Sequence, residues 1–142
     1  NSQRSKAAQG ELVCSFAQTF GKFCRMTKYK KEIGAWGESI AADWLAERGY
    51  QIIARNVRTP YGEIDIIAQQ GDMIIFVEVK TLTSSIEFFP EKNITKTKQQ
   101  HMLNSAQHYS AEHEIDHWQI DAIAVEGKPG RQPVITHFES IV

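Results

Sequence analysis

Two short apolar segments on either side of a glycine turn place the strongest constraint on the fold. Residues 63–68 and 73–80 are rich in isoleucine, valine and phenylalanine, the residues that favour strands. The four residues between them, 69–72, include Gly71 and are typical of a hairpin turn. We therefore predict an antiparallel β-hairpin at the centre of the chain.

Acidic side chains interrupt both strands of this hairpin. Alternate residues of a strand lie on the same face of a sheet. The pattern therefore predicts that Glu63, Asp65 and Ile67 share one face of the first strand. Glu78 and Lys80 share a face of the second strand.

The predicted pairing brings these groups together. If Gln69 and Asp72 close the turn, Glu63 lies opposite Glu78, and Asp65 becomes a diagonal neighbour of Glu78. Diagonal neighbours lie about 7–8 Å apart at the backbone. Since hard divalent cations take oxygen ligands at about 2.0–2.6 Å, a shared ion is within reach of both side chains.

Two interpretations of this acidic face remain open. Neighbouring carboxylates in a partly buried site repel each other, and a divalent cation together with Lys80 would relieve that repulsion. Alternatively, the face is a solvent-exposed hairpin edge whose charges pair loosely across the strands. The convergence of three carboxylates and one lysine favours the metal site.

The rest of the chain completes an alternating set of helices and strands. A helix is predicted over residues 33–48, and strands and loops follow to the end of the chain. We predict a strand at 50–55, a turn-rich link at 56–61, a long loop or lid at 81–93, a helix at 96–112 capped by Thr95, and strands at 118–125 and 134–138. The order α-β-β-β-α-β-β predicts a single α/β (α+β) domain, a mixed β-sheet flanked by helices.

The first predicted helix carries a further candidate carboxylate. Its apolar stripe includes Trp36, Ile40 and Leu45, and Gly37 within the stripe permits close packing or close backbone approach. Glu38 lies at the edge of the stripe. It is either an ordinary boundary residue or a group that points into a cleft beside the core.

Charge is unevenly distributed along the 142 residues. The net charge is −1, but residues 1–31 carry +6 and residues 32–142 carry −7. We expect 1–31 to be a basic leader, disordered or non-native, and 32–142 to be the folded domain, with a native start near Met26.

Cys14 and Cys24 both lie in the leader and are expected to be free thiols in a reducing cytoplasm. No apolar run approaches the roughly 20 residues of a membrane-spanning helix.

The spacing Asp65, Glu78, Lys80 is the D…E-x-K pattern of restriction-endonuclease-like nucleases. Further motifs accompany it along the chain. They are Gly37-Glu38, Asn56-Val57-Arg58, Gly62-Glu63-Ile64-Asp65, Val77-Glu78-Val79-Lys80 and Ile94…Lys98. Together they resemble the YraN family, small bacterial proteins with a predicted restriction-endonuclease-like fold similar to that of Holliday-junction resolvases. The resemblance covers residue 33 to the end of the chain.

The resemblance implies roles for individual residues. Asp65 and Glu78 would bind Mg²⁺ or Mn²⁺, and the backbone carbonyl of Val79 is a further ligand. Lys80 would orient or help deprotonate the attacking water, and Glu38 would hold a metal-bound water or a second ion.

Four residues are candidates for nucleic-acid contact. Lys98, with Lys96, would contact a neighbouring phosphate, although a solvated lysine in the first turn of a helix is an equal alternative. Asn56 and Arg58 would either fix their loop or touch the nucleic-acid backbone.

These assignments imply a metal-dependent endonuclease that hydrolyses DNA phosphodiester bonds. The resemblance to resolvases implies branched or structured DNA as the substrate and a homodimer as the active form. RNA in place of DNA is an alternative that changes the substrate but not the site. The alternative is a non-catalytic protein that keeps the fold and binds nucleic acid or another partner. The acidic balance of residues 32–142 favours this alternative, because phosphate contacts need Lys and Arg.

Overall fold

The structure, a computed structural model, describes residues 18–83 and 88–142, with side chains from residue 28 onward. The described part of the chain divides into two compact units, the first ending at Ala35 and the second comprising Trp36–Val142. The helices are α1 (Gln18–Glu47), α2 (Pro90–Asn93) and α3 (Lys96–Glu112), and the strands are β1 (Gln51–Thr59), β2 (Gly62–Gln70), β3 (Met73–Leu82), β4 (Trp118–Glu126) and β5 (Val134–Phe138).

The second unit contains a mixed five-stranded sheet, which confirms the predicted fold class; the element order differs from the prediction by one added short helix, α2. The strands lie in the order β1-β2-β3-β4-β5. Only β3 and β4 are parallel; the other neighbouring pairs are antiparallel. A parallel pair needs a crossover connection, and α3 lies within it, as is usual for a β-α-β unit.

Helices cover both faces of this sheet. The C-terminal part of α1 buries Ala41 and Leu45 against one face, where Ile66 and Val77 are fully or almost fully buried. The other face packs against α3 through a second cluster. Its buried members are Ile64, Ile67, Ile74, Phe76, Ala106 and Ile120. The alternation of strand residues between two apolar layers explains why β2 and β3 read as nearly continuous hydrophobic runs.

The bounds of α3 and β5 coincide with the predicted ones. The hydroxyl of Thr95 accepts a hydrogen bond from the backbone N–H of Lys98 at 3.1 Å, so the predicted cap is formed. This bond satisfies one of the four N–H groups that the first turn of a helix leaves free.

The first helix begins earlier than predicted. It starts at Gln18 instead of residue 33, so residues 18–31 of the expected leader are helical. The prediction rests on the apolar stripe that begins at Ile33 and on the basic composition of residues 1–31, and neither feature excludes a helix before residue 33. Residues 1–17, with Cys14, and the side chain of Cys24 lie outside the described residues. The expected boundary at residue 31 and a native start near Met26 stay predictions.

Strands β1 to β4 all extend further than predicted. β1 continues through Thr59, so the predicted turn at 56–61 shrinks to Pro60 and Tyr61. Asn56 takes a left-handed φ of 51° without ending the strand. β3 runs on to Leu82, and the predicted loop at 81–93 contains the short helix α2; residues 84–87 lie outside the described part.

The register of the β2–β3 hairpin differs from the prediction by two residues. Gln70 pairs with Met73, so only Gly71 and Asp72 form the turn. Gly71 has a φ of 63°, and a positive φ at the first central position fits a type II′ turn. The predicted Glu63–Glu78 pairing is therefore wrong, because the shorter turn places Asp65 at the position facing Glu78.

Among the described residues, no helix combines the length and the hydropathy that crossing a bilayer requires.

Candidate active site

The candidate site lies where the β2–β3 ladder ends. The last paired residues are Ile66 and Val77. Beyond this pair, the backbone N–H of Val79 donates to Oδ2 of Asp65 at 2.8 Å. The side chain of Asp65 thus accepts the bond that a backbone carbonyl would accept in a regular ladder. Asp65 is thereby fixed at the point where the two strands part.

The side-to-side alternation of β2 is also broken at Asp65. Ile64 and Ile67 both pack in the cluster beneath α3, although an odd separation should send them to opposite faces. The prediction that Glu63, Asp65 and Ile67 share one face is therefore wrong. The irregularity places Asp65 in the opening between the strands instead of on a flat surface.

Burial and like charge raise the pKa of both central carboxyl groups. The pKa of Asp65 rises from 3.8 to about 7, first because of burial and then because of the charge of Glu78; the N–H of Val79 and Lys98 offset part of the increase. Burial also raises the pKa of Glu78, against the effect of Lys98 and Lys80. Two such groups resist being ionised together, and added positive charge stabilises the ionised pair.

Two lysines stand beside this pair. Nζ of Lys98, in the first turn of α3, lies 3.6 Å from Oε1 of Glu78. The Lys98 side chain is 46% exposed and that of Glu78 only 19%. Lys80 is exposed on β3, close enough for its charge to lower the pKa of Glu78. The structure thus brings the three residues of the D…E-x-K pattern together and adds Lys98.

Glu38 approaches the same place from α1. Its charge raises the pKa of both Asp65 and Glu78. Nδ2 of Asn56 donates to Oε1 of Glu38 at 2.9 Å. Of the two readings given to Glu38 from the sequence, the structure therefore supports the one in which its carboxylate lies near the acidic pair.

The helix approaches the strands closely because residue 37 is glycine. A Cβ atom at Gly37 would collide with Oγ1 of Thr81 and lie 3.1 Å from its Cβ. Thr81 directly follows Lys80, so this contact brings α1 against β3 beside the acidic pair. The close approach predicted for Gly37 is confirmed.

The donor set for a metal is small. Within residues 18–83 and 88–142, no group of three or more His, Cys, Asp or Glu side chains has a geometry that could hold a metal ion. Asp65 and Glu78 do fit a hard cation: they are partly buried, acidic oxygen donors whose pKa values are raised first by burial, and the charge of Glu78 raises the pKa of Asp65 further. The metal ligands Asp65, Glu78 and Val79 remain a prediction.

The other candidates for nucleic-acid contact lie around this centre. Nε of Arg58 lies 3.7 Å from Oε2 of its cross-strand partner Glu63, and the Arg58 side chain is 79% exposed. Lys96, the first residue of α3, is exposed.

The sequence analysis missed two of these contacts. They are the hydrogen bond of Asn56 with Glu38 and the ion pair of Lys98 with Glu78. Their partners are 18 and 20 residues apart in sequence and on different elements. No spacing rule of a single helix or hairpin connects them.

A family model described as "Uncharacterised protein family UPF0102" matches residues 37–125. Relatives named "UPF0102 protein" include one from Syntrophotalea carbinolica, 42% identical, covering 80% of this chain and 93% of its own. Another, from Treponema pallidum, is 46% identical and covers 75% and 87%. One from Dehalococcoides mccartyi is 38% identical and covers 71% and 85%.

A solved structure, "The structure of Pyrococcus Furiosus SfsA in complex with Ca2+", is matched with a TM-score of 0.39 and 14% identity, covering 80% of this chain and 63% of that chain. A similarity this weak assigns neither a fold family nor a function. The family match spans more than half of the chain and includes all the residues of the site described above, from Glu38 to Lys98. The chain belongs to the UPF0102 family, which is the YraN family that its motifs resemble.

Proposed function

We propose that this protein is a metal-dependent endonuclease that hydrolyses DNA phosphodiester bonds. The observation that carries the proposal is the proximity of Asp65 and Glu78 where the β2–β3 ladder ends, with the pKa of Asp65 raised to about 7. A fold gains no stability from two adjacent, half-buried carboxylates. Perturbed groups of this kind cluster at functional sites.

Mg²⁺ or Mn²⁺ suits this donor set. Mg²⁺ keeps several of its waters and is commonly held by one or two protein carboxylates plus substrate phosphates. Asp65, Glu78 and the carbonyl of Val79 would hold the ion. When bound, it would supply Lewis acidity to a phosphoryl oxygen.

The two lysines supply positive charge on the protein side. In phosphodiester hydrolysis negative charge develops on the phosphoryl oxygens, and fixed cations stabilise that charge. Lys80 would orient and help deprotonate the attacking water. Lys98, already near Glu78, would meet a phosphate together with Lys96, and Arg58 at the end of β1 would extend the contact.

The substrate form and the assembly rest on the family resemblance. Similarity to Holliday-junction resolvases implies branched DNA and a homodimer that cuts two strands. We expect the affinity for DNA to come from local contacts, since residues 32–142 carry a net charge of −7.

A non-catalytic protein that binds nucleic acid or another partner is the second candidate. Two observations favour it: the acidic balance, and the lack of a three-residue metal cluster among the described residues. A protein of this kind would have the same site geometry but would not cleave nucleic acid.

Cleavage assays separate the two. Purified protein should cut supercoiled plasmid or a synthetic four-way junction with Mg²⁺ or Mn²⁺ and not with EDTA. Asp65→Asn keeps an oxygen that can accept from the N–H of Val79 but loses the charge, and Lys80→Ala removes the ammonium; both should abolish cleavage while circular dichroism stays unchanged.

Asp72→Asn is the matched control, because Asp72 is an exposed carboxylate in the turn of the same hairpin. It should cleave like the wild type. Binding of DNA, duplex RNA or the junction without cleavage under any of these metal conditions would reject the enzyme and support the second candidate.

A further inference from the structure

The backbone of Asn56 departs from the extended conformation of the strand around it. Its φ of 51° lies in the left-handed region, within a strand that continues on both sides. Asparagine tolerates this region better than most residues, but it is still uncommon there. Such departures cluster at functional sites when the surrounding structure holds them in place.

The irregularity lies opposite Asp65. In the β1–β2 ladder, Arg55 pairs with Ile66 and Val57 pairs with Ile64, and the position between them, Asn56 facing Asp65, is not paired. Both strands are therefore irregular at the same level of the sheet. On one side the side chain of Asp65 turns to the N–H of Val79; on the other, the side chain of Asn56 turns to α1.

Two successive residues of β1 hold two successive residues of α1. Nη2 of Arg55 donates to Oγ of Ser39 at 3.2 Å, and Nδ2 of Asn56 donates to Oε1 of Glu38 at 2.9 Å. Only the second bond ends on a carboxylate. A hydrogen bond to a charged acceptor is shorter and stronger than a neutral one, and it fixes the direction of the carboxylate.

We propose that Asn56 is a positioning residue: its left-handed backbone aims the amide at Glu38 and holds that carboxylate beside Asp65 and Glu78, where its negative charge helps to attract a divalent cation. This inference rests on the proposed metal-dependent function and gives Asn56 a role other than contact with phosphate. Groups that orient the carboxylates of a metal site typically change metal affinity or activity about 10–100-fold when they are mutated.

Asn56→Gly tests the proposal with little disturbance of the fold. Glycine adopts a φ of 51° without strain, so the substitution removes the amide and keeps the backbone. We expect Mn²⁺ affinity, measured by calorimetry without DNA, to fall about 10-fold. Asn56→Asp, which sets a second carboxylate against Glu38, should change the direction of Glu38 and lower cleavage at least as much.

Ser39→Ala is the matched control. It removes the neighbouring tether between β1 and α1 without touching a carboxylate, and it should bind Mn²⁺ and cleave DNA like the wild type. Equal losses from Ser39→Ala and Asn56→Gly would show that the helix tether matters and would overturn the specific role of Asn56.

A double-mutant cycle separates positioning from general structure. If Asn56 acts through Glu38, Asn56→Gly should cause no further loss of Mn²⁺ affinity in a Glu38→Ala background. Additive losses, or wild-type affinity in Asn56→Gly, would overturn the inference and leave the proposed function intact. A wild-type protein that neither binds Mn²⁺ nor cleaves DNA would overturn both.

Discussion

Two buried carboxylates in the same sheet have opposite surroundings. Asp121, on β4, is fully buried and accepts three hydrogen bonds, from Nε2 of Gln119 at 2.9 Å, from the N–H of Ser140 at 2.9 Å and from Nε2 of His137 at 2.7 Å. Asp65, on β2, is less buried and lies near the like charges of Glu78 and Glu38.

The difference indicates what each carboxylate is for. Asp121 ties β4 to β5 and to the segment that follows β5, and its donors satisfy the charge within the protein. The backbone N–H of Val79 donates a hydrogen bond to Asp65, and burial together with neighbouring carboxylates raises the pKa of Asp65 to about 7. Donors within the protein offset the cost of burying the carboxylate of Asp121, whereas Asp65 is held beside like charges, surroundings that are typical of a functional site.

Removing the satisfied carboxylate should have the larger effect. Asp121→Ala removes a fully buried acceptor from three partly buried donors, and we expect the free energy of unfolding to fall by about 3–5 kcal/mol. Urea denaturation followed by tryptophan fluorescence measures the loss. Asp116→Ala, at an exposed carboxylate before β4, should change stability by less than about 0.5 kcal/mol. A similarly small effect of Asp121→Ala would remove the contrast between the two carboxylates.

Removing the charge of Asp65 should stabilise the metal-free protein. A raised pKa means that the folded state holds its proton more tightly than the unfolded state, so stability from this group is present at low pH and is lost as pH rises from about 4 to about 7. We therefore expect Asp65→Asn to gain about 2–4 kcal/mol at pH 8 and almost nothing at pH 4.

Parallel urea denaturation of wild type and Asp65→Asn between pH 4 and pH 8, in EDTA, measures this difference. Saturating Mg²⁺ should reduce it at pH 8, because a cation bound to the ionised pair stabilises the wild type. Asp72→Asn should show no such pH-dependent gain. A loss of stability from Asp65→Asn at pH 8 would mean that Asp65 is structural, like Asp121.

The sequence predicted the elements better than their pairing. Patterns within one element sufficed for α3, whose cap and apolar stripe are local, and for the existence of the β2–β3 hairpin. The predicted register of the hairpin is wrong because the register depends on the turn at Gly71 and Asp72. A change in the length of this turn shifts every residue pair of the two strands. The predicted start of α1 is wrong because the apolar stripe from Ile33 onward marks only part of the helix, and the basic composition of residues 18–31 does not prevent them from being helical.

Contacts between elements distant in sequence set the limit for the site. The D…E-x-K spacing identified Asp65, Glu78 and Lys80 because they share one hairpin. Asp121 and His137 are 16 residues apart on two strands, so no spacing within one element connects them. Whether a buried carboxylate has enough hydrogen-bond donors depends on such distant partners. The pattern of one strand or helix does not predict them.

A change at Gly37 should affect the Asp65 region and leave the Asp121 region intact. Gly37→Ala forces a methyl group against Thr81, so α1 must shift near Glu38, and overpacking of this kind costs about 1–3 kcal/mol. We expect that loss of stability together with weaker Mn²⁺ binding, measured by urea denaturation and calorimetry. Adding Thr81→Ala removes the colliding hydroxyl and should restore part of both.

Gly34→Ala is the matched control for this last change. Among the described residues, no atom outside the adjoining helix backbone lies within 4 Å of a Cβ placed at Gly34. Alanine favours a helix over glycine by about 1 kcal/mol, so this variant should be slightly more stable than the wild type. Opposite signs at two glycines one turn apart would show that the close contact with Thr81, and not helix propensity, accounts for the glycine beside Glu38. A stabilising Gly37→Ala would instead mean that α1 can move away from β3 at no cost, and the approach of Glu38 to Asp65 would then not depend on this contact.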